Sequence, residues 1–160
     1  MVETQQAYPF EWIKTGYPSP EKFEVCRDTE GRGYGVRTLV PHTRGHLVSH
    51  IVGVLSSERK LHTLQVSEST HLYDPYFAGL LLHSCSPSVM LDMKRLEVFA
   101  LRDIEIGEFL TMDYASTEDI LARQFPCACH SANCRHWITG AKEEPNDEGV
   151  AYLAKFHTLA

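Results

Sequence analysis

The sequence predicts a mostly-β domain made of several small twisted sheets with short helices. Three observations lead there. Apolar residues gather in short alternating or β-rich runs of strand length, no long helical period interrupts them, and glycine, proline or polar turns separate the runs. At 160 residues, 43% apolar and 22% charged, the chain has the size and composition of one domain with a real core.

Residues 1–22 scatter Tyr8, Pro9, Phe10, Trp12, Tyr17, Pro18 and Pro20, which reads as an irregular arm packed on the body through its rings. Strands follow at Phe23-Glu24-Val25, at residues 35–40 before Pro41, across residues 46–55, and at residues 63–66. Asp74-Pro75 opens a short helix whose Phe77, Leu80 and Leu81 enter the core. Two further strands, residues 89–92 and 96–101, flank a Lys94-Arg95 turn, and another over residues 108–112 follows Gly107. A polar linker over residues 142–149 precedes a short terminal helix with Val150, Leu153, Ala154 and His157 on one face. No internal repeat or low-complexity tract is present.

Formal charge is −6 and no basic block occurs, so nucleic-acid binding is not expected. The opening residues lack a basic start followed by an apolar run, and no stretch nears the roughly 18 apolar residues of a membrane span. An intracellular location, cytoplasm or nucleus, is the expectation. In that reducing setting clustered cysteines favour metal over disulfides.

Cys127, Cys129 and Cys134 form a C-x-C-x4-C cluster, three thiolates for a tetrahedral site that normally takes four ligands. Cys85 is the best candidate for the fourth; His130 and His136 compete, while Cys26 reads as a buried strand thiol. Gly31-Arg32-Gly33-Tyr34-Gly35-Val36 is a glycine turn opening into a strand, suited to a plain tight turn or to close approach by a ligand. It is not a dinucleotide fingerprint, since no helix follows. His83-Ser84-Cys85-Ser86-Pro87 places polar groups directly after an apolar run, either as satisfied core groups or as part of a site. Tyr114 ends the last strand, as an edge aromatic or as a hydroxyl able to orient a nucleophile.

In this order, Gly33-Tyr34-Gly35, His83-Ser84-Cys85-Ser86-Pro87, Gly107-Glu108 through Thr111-Met112-Asp113-Tyr114, and C-x-C-x4-C-Arg resemble the SET-domain protein lysine methyltransferases with a post-SET zinc loop. The resemblance covers residues 23–140. It implies a β-clip (SET) fold divided into an arm (1–22), a SET domain (23–118), a post-SET zinc loop (119–140), and a linker with a short helix (141–160). It implies S-adenosylmethionine as cofactor, held by Arg32, Gly33, Tyr34, Gly35, Leu82, His83 and the post-SET ring Trp137. It implies Tyr114 as the catalytic residue and one structural Zn²⁺ on Cys85, Cys127, Cys129 and Cys134. The partner it implies is a lysine of a protein or peptide.

Several positions depart from the family pattern. Leu82 and Ser88 stand where the family has Asn, Gly79 where it has Arg, Met112 where it has an aromatic residue, and His50-Ile51 align with its Glu-Tyr pair. These departures support an alternative: a repurposed SET fold that acts on a small molecule or serves as a binding module.

Overall fold

The chain changes strand partner every few residues, so its sheets stay small. The computed structural model describes residues 4–5, 16–29 and 31–157. Most of the aromatic arm expected over residues 1–22 lies outside them. Its described parts are a strand, β1 (Thr4–Gln5), and a stretch that packs through buried Pro18 and through Tyr17, whose ring lies 5.1 Å from that of His50. β1 joins antiparallel to β2 (Phe23–Arg27), which pairs in turn with β3 (Tyr34–Thr38).

A second sheet has β10 (Glu97–Ala100) between β4 (Leu47–His50) and β9 (Val89–Asp92), all antiparallel. A third has β7 (Thr70–Tyr73) between β5 (Val54–Ser56) and β6 (Thr63–Ser67). The run expected as one strand over residues 46–55 is therefore two. Ile51 turns into the core, and at Gly53 an added Cβ would stand 2.4 Å from the Tyr73 carbonyl, so the backbones meet there.

Two short pairs carry the polar motifs. β8 (Leu82–His83) lies parallel to β11 (Thr111–Met112), and β12 (Phe125–Pro126) lies antiparallel to β13 (Trp137–Ile138). The strand expected over residues 108–112 shortens to β11, with Phe109 keeping one bridge to Arg37. The expected helix after Asp74-Pro75 is a single 3₁₀ turn, Ala78–Leu80. The buried Asp74 carboxylate accepts from the amides of Tyr76, Phe77 and Ala78 at 3.0, 3.1 and 2.7 Å, which satisfies the turn's start.

The terminal helix α1 (Asp147–His157) begins inside the expected linker, because the Asn146 side chain accepts from the Gly149 amide at 2.8 Å and Asp147 and Glu148 suit the first turn. Its packed face also differs from the expected one. Val150 is 58% exposed, whereas Gly149 is buried and Tyr152 and Phe156 lie against Trp137 and His136, at ring separations of 5.6 and 3.9 Å. Aromatic contacts with β13 and its approach, not aliphatic spacing, set the rotation of α1.

Two apolar clusters result. The larger joins the three main sheets through residues such as Phe23, Val36, Leu72, Phe77 and Leu110. The smaller comprises Cys85, Leu121 and Ile138, with Phe125 and the three tail cysteines against it. Tyr114 packs on both. Among the described residues no helix is long and apolar enough to cross a membrane.

Candidate active site and metal centre

Where the glycine turn, β8 and the tail converge, a cavity of about 610 Å³ opens. Arg32, Gly33 and Tyr34 form one wall, Ala78–Leu82 with Met112 and Tyr114 the floor, and Leu121, Arg123 and Phe125 the side toward the tail. Gly33 has φ +90°, which a side chain disfavours, so this loop requires a glycine. Arg32 is steered by Asp28, its Nε donating to the carboxylate at 2.8 Å.

Tyr114 donates its hydroxyl hydrogen to the Leu81 carbonyl at 2.6 Å. Burial, slightly offset by Arg32, pushes the phenol up to about 12, so it stays protonated at neutral pH. With its proton committed, the oxygen offers only lone pairs to an incoming ligand. The ring is held edge-on by His83 and Phe125, at 5.1 and 5.7 Å.

His83 works one step behind. Its Nδ1 accepts from the Tyr114 amide at 3.2 Å. Burial, opposed by Asp113 and assisted by Arg135, pulls His83 down to about 4, so the ring is neutral near pH 7. A neutral ring accepting at Nδ1 carries its proton on Nε2, and Nε2 lies 3.5 Å from Cys85 Sγ. One imidazole thus links Tyr114 to the cysteine cluster.

The Sγ atoms of Cys85, Cys127, Cys129 and Cys134 all lie within 4.8 Å of one another. Zn–S bonds of about 2.3 Å in a tetrahedron imply S–S edges of about 3.8 Å. Cys85 and Cys127 are 3.9 Å apart, and the Arg135 and His136 amides point at Cys85 and Cys134 sulfurs at 3.3 and 3.4 Å. Donor set, spacing and outer hydrogen bonds all fit a structural zinc site. His130 is exposed and His136 stacks on Phe156, so neither histidine joins the cluster, and Cys26 is buried in β2. The loop is also fastened by polar bonds: Asn133 donates to the Cys85 carbonyl at 3.0 Å, and Arg135 forks onto Asp113 at 2.7 and 2.9 Å. Burial pushes the Asp113 carboxyl up, but that fork outweighs it and holds the group below its ordinary value.

The expected cofactor residues divide. Arg32, Gly33, Tyr34 and Leu82 line the cavity; Gly35, His83 and Trp137 do not. At Gly35 an added Cβ would stand 2.7 Å from Leu82 Cγ and 3.1 Å from the Phe109 ring, so this glycine lets Leu82 lie flat on β3. Gly35→Ala is expected to cost about 1–3 kcal/mol, read as a lower denaturant midpoint. Trp137 is buried beneath α1, its indole N–H donating to Gln124 Oε1 at 2.8 Å. The tail ring at the cavity is Phe125 instead. Its position immediately before the cysteine cluster was the available signal. Glu118 was also missed: it lines the cavity 7% exposed, its Oε2 accepting from the Gln65 amide at 2.8 Å. Burial raises its carboxyl.

The departures from the family pattern have local reasons. At Gly79 an added Cβ would meet the Asp74 and His62 carbonyls at 2.2 and 2.4 Å, so no side chain fits. Ser88 is fully buried, its hydroxyl accepting from the Thr111 amide at 2.9 Å and so joining β9 to β11. His50 and Ile51 sit away from the cavity, against Tyr17 and in the core.

The SET domain family matches residues 33–115. The chain belongs to the SET-domain family. This SET-domain chain is 33% identical over 128 residues to Methyltransferase flvH of Aspergillus flavus, across 78% of the chain and 71% of that protein. It is 37% identical over 163 residues to Histone-lysine N-methyltransferase ASHR3 of Arabidopsis thaliana and 29% identical over 167 residues to Histone-lysine N-methyltransferase ash1 of Drosophila melanogaster. Those alignments take 87% and 84% of the chain but only 32% and 7% of the two relatives. The crystal structure of KRYPTONITE in complex with mCHG DNA and SAH superposes with a TM-score of 0.57 at 24% identity, over 69% of this chain and 27% of that one. At that identity the likeness speaks for the fold, a mostly-β SET architecture. All three of these relatives are named as methyltransferases.

Proposed function

We propose that the chain transfers a methyl group from S-adenosylmethionine to the ε-amine of a lysine in a protein or peptide. The carrying observation is Tyr114: a hydroxyl on the cavity floor whose proton is bound by the Leu81 carbonyl, leaving its lone pairs for a ligand. Arg32, Gly33, Tyr34 and Leu82 would hold the cofactor, with Phe125 closing over it from the tail, and the cofactor supplies an electrophilic methyl when bound. Leu81, Leu82 and Met112 make that floor apolar and exclude water. Desolvation there lowers a lysine amine from its ordinary pKa of about 10.4, releasing the lone pair that attack requires. Tyr114 accepts a hydrogen bond from that amine and fixes its direction, so alignment provides much of the rate. His83 is neutral at pH 7 and its one ring proton faces Cys85, away from the cavity, so it positions Tyr114 rather than exchanging a proton with the substrate. Cys85, Cys127, Cys129 and Cys134 would hold one zinc ion, which four thiolates leave without an open position for chemistry.

Leu82 favours a second reading, a small-molecule acceptor or a binding module, because the apolar side chain offers no hydrogen bond where the family uses Asn. Calorimetric titration with S-adenosylmethionine, followed by methyl transfer to a histone and peptide mixture, separates the two. Binding with transfer to lysine is expected. Binding without transfer to any peptide would support the second reading, and no binding at millimolar cofactor would refute the enzyme reading.

A further inference from the structure

The tail side of the cavity is not self-supporting. Leu121, Arg123 and Phe125 belong to a short stretch whose only strand is the two-residue β12, too short to order itself. Gln124, in the middle of that stretch, faces the other way. Its Oε1 accepts from the Trp137 indole at 2.8 Å and from the Asn146 amide at 2.9 Å. Its Nε2 donates to Glu143 Oε2 and to the Glu144 carbonyl, each at 3.0 Å. Both donors and both acceptor positions of one amide are thus used. Glu143 extends the link, its Oε1 accepting from the Leu121 amide at 2.9 Å and the Gly140 amide at 2.6 Å. Behind Trp137 stands α1, so close at Gly149 that an added Cβ would lie 2.2 Å from the indole nitrogen.

We propose that Gln124 is a positioning residue: through it the C-terminal segment, Glu143 to α1, straps the Phe125 wall of the cavity in place for cofactor binding. The cofactor half of this inference rests on the methyltransferase reading; the strap itself does not. Glutamine is required because the site asks for two donors and two acceptors at once. Alanine offers neither, and glutamate sets a carboxylate against Glu143. Exchanging the pair restores only the link between the two side chains, since glutamine at 143 donates to a carboxylate at 124 and still accepts from Leu121 and Gly140, whereas the bond to the Glu144 carbonyl stays lost.

The test uses the full chain with Gln124→Ala, Gln124→Glu, and Gln124→Glu combined with Glu143→Gln. Cofactor affinity, zinc content and amide hydrogen exchange are measured for each. The two single variants are expected to weaken S-adenosylmethionine binding about tenfold and to speed exchange over residues 121–125, with zinc content unchanged. The double exchange is expected to recover part of both losses, ending measurably better than Gln124→Glu but short of the parent because the Glu144 carbonyl still lacks its donor. Unchanged exchange in the single variants overturns the strap. Faster exchange with unchanged affinity overturns its link to the cofactor wall. A double variant no better than Gln124→Glu shows that packing, not the hydrogen-bond hub, matters, and also overturns it. If the parent binds no cofactor, the methyltransferase reading falls with the cofactor half, while the exchange arm still decides the strap.

Discussion

Tyr114→Phe is expected to lower methyl transfer about 100-fold or more while leaving S-adenosylmethionine affinity within about threefold of the parent. The ring would stay, because its edge contacts with His83 and Phe125 do not involve the hydroxyl. What goes is the oxygen whose lone pairs would direct the amine, together with its bond to the Leu81 carbonyl. The effect should therefore fall on kcat, with the cofactor KM nearly constant. A parallel loss of cofactor binding would mean the hydroxyl holds the cofactor instead. An unchanged kcat would remove Tyr114 from the chemistry altogether. The phenol, pushed up to about 12 by burial, does not ionise below pH 10. The parent should accordingly show no Tyr114 ionisation in the pH–rate profile between pH 6 and pH 10, a range followed readily with a radiolabelled methyl donor.

Cys85→Ser, or prolonged chelation of the parent, is expected to release the zinc and loosen the tail. A hydroxyl is a poor fourth ligand, and the three remaining sulfurs belong to a loop with few contacts of its own. That loop reaches the body through Cys85, the Asn133 bond to its carbonyl, and the Arg135 fork onto Asp113. Loss of the metal is therefore expected to loosen the smaller apolar cluster and, with it, the Phe125 side of the cavity that packs on it. The expected readings are one zinc per parent chain by elemental analysis, well under one in the variant, and a melting temperature lower by on the order of 10 °C. In a domain of this size each kcal/mol accounts for about 2–4 °C. Cofactor binding should vanish alongside, distinguishing this variant from Tyr114→Phe, where it persists. A parent chain free of metal with a fully protected tail would reject the site.

Legibility in the sequence varied with the distance over which each feature is specified. β2, β3, β9 and β10 were visible because alternation and bounding turns are local signals. β7 and β8 were not, because four and two residues carry too little pattern and pair only when the rest of the sheet is present. The terminal helix is legible in the sequence, but its packed face is not. Spacing of Val150, Leu153 and Ala154 counted aliphatic residues equally, whereas Tyr152 and Phe156 had partner rings in Trp137 and His136. The same reason keeps Trp137 off the cavity lining: an indole N–H needs an acceptor when buried, and Gln124 supplies it on the far side.

Residue order along the chain was enough to identify the cysteine set, the glycine turn and the terminal Tyr114, because motif chemistry resides in residue type and spacing. It also carried the family membership that those motifs express. Geometry across the chain was needed for the rest: the choice of Phe125 over Trp137 at the cavity, the use of His83 as a brace between Tyr114 and Cys85, and the reason no side chain fits at Gly79. Each depends on which groups meet once separate segments have packed, as His83 and Tyr114 do across 31 residues and Cys85 and Cys127 across 42. Sequence spacing does not encode such meetings, since they follow from close packing of the whole core and from the need to satisfy every buried polar group at once.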